Sequence, residues 1–151
     1  MVVYRIAKRK YARDLSGEGA RLNGGRWNHP MTACLYTSES RALALLEFSV
    51  NIRTGYVPPG LILLTLEVPE DSFMQVRLDR LPPDWNSVPS NDKTRNLGNL
   101  ILTESDLSVI GVPSSVVPEE WNFLLNPRNL GTGWPKILDF KEISYDFRIK
   151  L

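Results

Sequence analysis

Hydrophobic and polar positions change period several times along this chain, and each change marks an element. Residues 2–7 alternate, with Tyr4 and Ile6 opposite Val3 and Arg5, which predicts an opening strand. The basic run 8–13 reads as solvated, and the polar, glycine-rich stretch 16–28 as an irregular loop. Residues 33–37 (ACLYT) predict a short buried strand. From Ser38 the period becomes helical: Leu43, Leu46 and Val50 share a face that Ala42 and Leu45 widen, with Arg41 and Arg53 toward solvent. A turn at 54–60 precedes the most apolar run, 61–68 (LILLTLEV), whose length and composition predict a central strand buried on both faces and closed by Pro69. A short strand follows within 73–78, then a proline-rich loop at 81–90. Leu97, Leu100 and Ile101 predict a helix from Asp92 to about Thr103 despite Gly98, and 109–112 a short strand. At the end of the chain Ile143, Tyr145, Phe147 and Ile149 alternate with polar neighbours, predicting a half-exposed antiparallel strand over 143–151.

At 151 residues a single domain is expected, large enough to bury most of its apolar side chains in one core. Lysine and arginine (18) nearly balance aspartate and glutamate (17), which removes a strong electrostatic drive toward nucleic acid or anionic membrane. Cys34, the lone cysteine, sits in an apolar strand and reads as an inert buried thiol suited to a reducing cytoplasm. With only Cys34 and His29 as soft ligands, no zinc-type spacing can be built, so no metal site is expected. His29 beside Pro30 reads as a surface histidine. The opening MVVYRIAKRK is too short an apolar run for a signal peptide, and no membrane span follows it.

Candidate chemistry concentrates between Arg21 and Glu47. Gly24 and Gly25 bring backbone close to whatever binds there, and the guanidinium of Arg26 offers a planar fork of donors suited to carboxylate or phosphate. The same residues also fit a tight surface turn with a solvated arginine. Glu47 falls inside the apolar run ALALLEFSV, where a carboxylate is costly to bury without a partner. It lies either on the polar edge of its helix, in a structural ion pair, or in a cleft beside Arg26. Arg5, in mid-strand, must reach solvent or an anion, and the second option makes it a second cation near Arg26. Residues 113–127 (PSSVVPEEWNFLLNP) form a second concentration, with Ser114 just past a strand and Asn122 and Asn126 around an apolar triplet. No GxSxG elbow is present, and a serine triad would rest on the isolated His29, so a serine hydrolase is rejected.

In order and separation, YRIA, GGRWN, LYTS, ALALLE, VPSSVVPEEWNFLLNP and YDFRI resemble the RES-domain family of bacterial toxins nearly end to end. The family's arginine, glutamate and serine signatures fall on Arg26, Glu47 and Ser114, and Tyr36 matches the aromatic of its YTS strand. One departure is that Arg128 and Asn129 follow Pro127 where many members carry a histidine-proline pair.

The resemblance implies one α/β domain over 1–151, an α+β mixed sheet similar to ADP-ribosyltransferase toxins. It implies breakdown of NAD+, as substrate and with no cofactor, at the nicotinamide glycosidic bond, with water or phosphate as acceptor. The runners-up are transfer of ADP-ribose to a macromolecule and a non-catalytic antitoxin-binding domain. The implied partner is an Xre-type antitoxin with a helix-turn-helix, without direct nucleic-acid or membrane binding by this chain; a homodimer stays open. On this reading Arg26, helped by Arg5, holds the pyrophosphate, and Tyr36 stacks on the nicotinamide. Glu47 stabilises the developing ribosyl cation, Ser114 hydrogen-bonds near the ribose, and Gly25 and Asn122 contact substrate. Arg26, Tyr36, Glu47 and Ser114 are then expected to line one cleft.

Overall fold

A computed structural model describes residues 1–56 and 58–150. Its frame is one mixed α/β sheet of seven strands: β1 (Val2–Lys8), β2 (Leu35–Ser38), β3 (Leu61–Glu67), β4 (Phe73–Gln75), β5 (Val109–Pro113), β6 (Trp121–Leu125) and β7 (Lys136–Ile143), in the order β4-β5-β6-β2-β1-β3-β7. Every pairing is antiparallel except β4 with β5. The apolar run at 61–68 is indeed buried on both faces, but it is next to the edge, between β1 and β7. Val3, Ala7, Leu35, Ile62, Leu64, Leu66, Phe123 and Leu125 pack on one face around Ala12 of the short helix α1 (Arg9–Ala12).

The opposite face carries the two longer helices, α3 (Arg41–Val50) and α4 (Asp92–Glu104). Ser40 caps α3 by accepting from the Leu43 N–H at 3.0 Å, and Asn91 caps α4 by accepting from the Thr94 N–H at 3.0 Å. The guanidinium of Arg41 stacks 4.5 Å over the ring of Tyr4, which places α3 above β1 and β2. Leu102 of α4 packs with Ile110, Val112, Leu124, Trp27 and Trp85 in a second core. Gly98 is what lets α4 settle, because a Cβ there would lie 2.1 Å from the Trp27 carbonyl oxygen.

Several sequence expectations are corrected. The stretch read as an irregular loop holds a helix, α2 (Glu18–Asn23), bounded by Gly17 and Gly24 in positive-φ conformations. The stripe of α3 is rotated: Leu43, Ala44 and Ser49 are buried, whereas Ala42 and Val50 are exposed. The apolar triplet 123–125 between Asn122 and Asn126, not assigned to a strand from sequence, belongs to β6. The closing strand is also displaced. Asp146 accepts from the Arg148 N–H and caps a 3₁₀ turn at Phe147–Ile149, while the last strand is β7, whose apolar residues Ile137, Leu138, Phe140 and Ile143 do not alternate regularly and carry little period-2 signal. The predicted turn at 54–60 includes Val57, and the predicted closing strand includes Leu151; both positions lie outside the described residues.

Candidate active site

Glu47 is on the side of α3 that follows Leu43 and Ala44 down toward the sheet, so its half-buried carboxylate hangs over β2 and β6 instead of facing solvent. Two side chains meet one of its oxygens. Ser114 Oγ donates to Glu47 Oε1 at 2.7 Å, and Asn122 Nδ2 donates to the same atom at 2.6 Å. Asn122 is itself oriented, since its Oδ1 accepts from Ser38 Oγ at 2.7 Å across the Ser38–Asn122 register pair of β2 and β6. Ser114 is fixed from behind by the N–H groups of Val116 (3.1 Å) and Val117 (3.0 Å), which donate to its Oγ. Glu47 Oε2 has no hydrogen-bond partner among the described residues. One edge of the carboxylate is held by the protein and the other is left for a ligand.

The cleft around it has two lobes. The inner lobe, about 250 Å³, is lined by Tyr4, Arg5, Ile6, Tyr36, Phe48 and Asn122 among others. The outer lobe, about 670 Å³, runs past Gly24, Gly25, Arg26, Ser90 and Arg95. Glu47, Tyr36, Asn51 and Asn122 border both. Such volumes suit a small organic ligand.

Arg26 reaches this cleft from the loop after α2. Its Nη1 donates to the carbonyls of Trp85 (3.1 Å) and Ser87 (2.8 Å), which ties the proline-rich loop to the site. Burial lowers the Arg26 guanidinium below its ordinary value, and nearby Glu47 offsets only part of this without a direct ion pair; the group stays charged. Arg95, on α4, donates through Nε to the Gly25 carbonyl at 3.1 Å and through Nη2 to Ser90 Oγ at 2.9 Å.

Tyr36 projects from β2 between the lobes. Its hydroxyl accepts from the Trp27 N–H (3.1 Å) and donates to Asn28 Oδ1 (2.7 Å), so the phenol is consumed structurally and the ring is what remains to meet a ligand. Burial pushes the phenol well above its ordinary range and keeps it protonated. Gly25 serves this approach, since a Cβ there would lie 2.6 Å from the Tyr36 hydroxyl oxygen. Arg5 borders the inner lobe and also a groove beneath α2. Burial lowers its guanidinium, Asp14 raises it, and its Nη1 is buried without a partner.

Of the residues expected in one cleft, Arg26, Tyr36 and Glu47 converge, with Arg5, Gly25 and Asn122 beside them. Ser114 does not line it. It is 0% exposed and stands behind Glu47, while its neighbour Ser115 reaches the outer lobe. Arg95, Ser38 and the carbonyls of the 81–90 loop were not singled out from sequence. An arginine four residues into an amphipathic helix carries no local sign that it points to a site. His29 docks on α4 instead, its N–H donating to Asn99 Oδ1 at 3.0 Å and its ring contacting Asn96. Asn126 is buried, donating through Nδ2 to the Leu102 carbonyl at 2.9 Å.

A profile of the RES domain matches residues 2–140 of this chain. Among characterised proteins it is similar to the "Prs ADP-ribosylating toxin" of Sphingobium sp. (strain YBL2), 34% identical over 141 residues that cover 91% of this chain and 88% of that protein. It is also similar to "Toxin Res" of Yersinia enterocolitica, 38% identical over 131 residues covering 85% and 86%. Its fold is similar to one in the crystal structure of the M. tuberculosis MbcT-MbcA toxin-antitoxin complex, with a TM-score of 0.75 at 17% identity, over 95% of this chain and 84% of that one.

Proposed function

The chain belongs to the RES-domain family, and on that premise we propose that it is the toxin of a toxin–antitoxin pair and degrades NAD+ by cleaving the bond between nicotinamide and ribose. The observation that carries this reading is the half-held carboxylate of Glu47 in a cleft that also presents Arg26 and Tyr36. NAD+ has a cationic nicotinamide as leaving group, and positive charge develops on the ribose as the C–N bond lengthens. Glu47 Oε2 stabilises that charge, and holding Oε1 beforehand removes the reorganisation otherwise needed at the moment of reaction. The ring of Tyr36 packs against the nicotinamide, Arg26 holds the pyrophosphate, and Arg5 supplies a second cation at the inner lobe. Water or phosphate takes up the ribosyl carbon. Ser114 acts through Glu47.

The test is release of nicotinamide from NAD+ by the purified protein, followed chromatographically. Glu47→Gln keeps the shape and hydrogen bonding but removes the charge, and is expected to lower kcat about a hundredfold or more. Equal release by both proteins rejects the assignment. A second reading, transfer of ADP-ribose to a macromolecule, is favoured by the name of the Sphingobium relative. NAD+ labelled in the adenylate separates the two: label on protein or nucleic acid marks transfer, and label confined to small molecules marks hydrolysis or phosphorolysis.

The same reading supplies a cytoplasmic site of action, where the NAD+ pool lies, and a cognate antitoxin of the Xre type that covers the cleft. Among the described residues no helix is long and apolar enough to cross a membrane.

A further inference from the structure

The outer lobe carries a second guanidinium that the chemistry above does not use. Arg95 rises from the first turn of α4, donating through Nε to the Gly25 carbonyl, through Nη1 to Asp92 Oδ1 at 2.9 Å and through Nη2 to Ser90 Oγ. Each terminal nitrogen therefore keeps a second N–H, with no partner among the described residues. Its side chain is 25% exposed, while that of Asp92 is 80% exposed. The aspartate is thus a solvated counter-charge that neutralises little of the field directed into the cleft. Arg26 follows directly on the peptide that Arg95 grips. Its hydrogen bonds to the Trp85 and Ser87 carbonyls both leave through Nη1, and Nε and Nη2 are free among the described residues. Two cations are thus held at one end of a cleft whose carboxylate, Glu47, is committed through Oε1 to Ser114 and Asn122. Backbone carbonyls and a serine hydroxyl tether the pair in place against their mutual repulsion.

We propose that Arg95 and Arg26 form a clamp for two linked phosphates, and that Arg95 is the residue that makes the site prefer a substrate with a diphosphate bridge over one ending in a single phosphate. One phosphate saturates one guanidinium fork; a second guanidinium a peptide away is matched only when another phosphate follows. The inference rests on the NAD+ reading for its substrate and specifies how the adenylate half is read.

Two measurements on the full chain test it. In calorimetric titration, the wild type is expected to bind ADP at least tenfold more tightly than AMP. Arg95→Gln, whose fold is checked by its melting curve, is expected to lose most of that preference, with Arg95→Lys between them. In turnover, the ratio of kcat/KM for NAD+ to that for nicotinamide mononucleotide is expected to fall about tenfold in Arg95→Gln. If Arg95 only braces Gly25 and Ser90, both substrates suffer alike and the ratio stays, which overturns the proposal. A wild type that does not discriminate ADP from AMP, or a glutamine variant that keeps the preference, overturns it as well. An Arg95-dependent preference for ADP in a protein that releases no nicotinamide leaves the clamp standing and removes the proposed reaction instead.

Discussion

At the scale of single residues, Glu47 was visible in the sequence as a carboxylate in an apolar run, but the reason it can stay there was not. That reason is a donor on β6 and another at the end of β5, more than sixty positions further along the chain. Ser114→Ala removes one donor and leaves the Val116 and Val117 N–H groups without their acceptor. It is expected to cost about 1–3 kcal/mol of stability and to lower kcat about tenfold with KM nearly unchanged, because the carboxylate loses its aim and not its charge. A thermal melt beside steady-state nicotinamide release checks both halves. Cys34 behaves as its apolar context indicates: it is buried, and burial pushes its thiol well up. The folded state keeps this proton where the unfolded chain releases it, at about pH 8.5. Its contribution to stability is therefore complete below that value and lost as the pH rises above it. Between pH 8.5 and 10 the wild-type Tm is expected to fall more steeply than that of Cys34→Ala.

Among elements, those with a clear period were read correctly in kind: β1, β2, β3, α3, α4 and β5. The misses have local physical causes. α2 buries no residue, so it has no apolar stripe to betray it. β7 is an edge strand with mostly exposed side chains, and its alternation is correspondingly faint. The closing alternation does not mark one strand: Ile143 ends β7, Tyr145 is buried before the 3₁₀ turn and donates to Ser49 Oγ at 2.9 Å, and Phe147 within the turn is 60% exposed. Gly98 looked like a weakness in α4 and is the condition for its docking. Gly98→Ala gains helix propensity yet drives a methyl into the Trp27 carbonyl, so a loss of about 3 kcal/mol is expected in denaturant titration, where propensity alone predicts a gain.

Across the whole molecule, the adjacency of β2 and β6 assembles the site, because it sets Ser38 opposite Asn122 and brings residues 26–47 together with 114–122. Spacing in the sequence cannot reveal that pairing; the family resemblance implies only that Arg26, Tyr36, Glu47 and Ser114 belong to one site, without the strand that brings them together. The sheet order also sets where the fold opens first. Amides of β1, paired along its length with β3 and flanked by β2, are expected to exchange hydrogen slowest, and those of the edge strands β4 and β7 well before them, as read by mass spectrometry. Two of the crowded glycines, Gly25 and Gly98, carry a last consequence for genetics. If the protein poisons its host, missense alleles in surviving colonies are expected to include replacements of Gly25 and Gly98. Revertants of the two should differ in kind. The obstacle at Gly25 is a tyrosine hydroxyl that another substitution can delete, whereas at Gly98 it is a main-chain carbonyl that every amino acid carries. Toxicity lost at position 98 should therefore return only by restoring glycine.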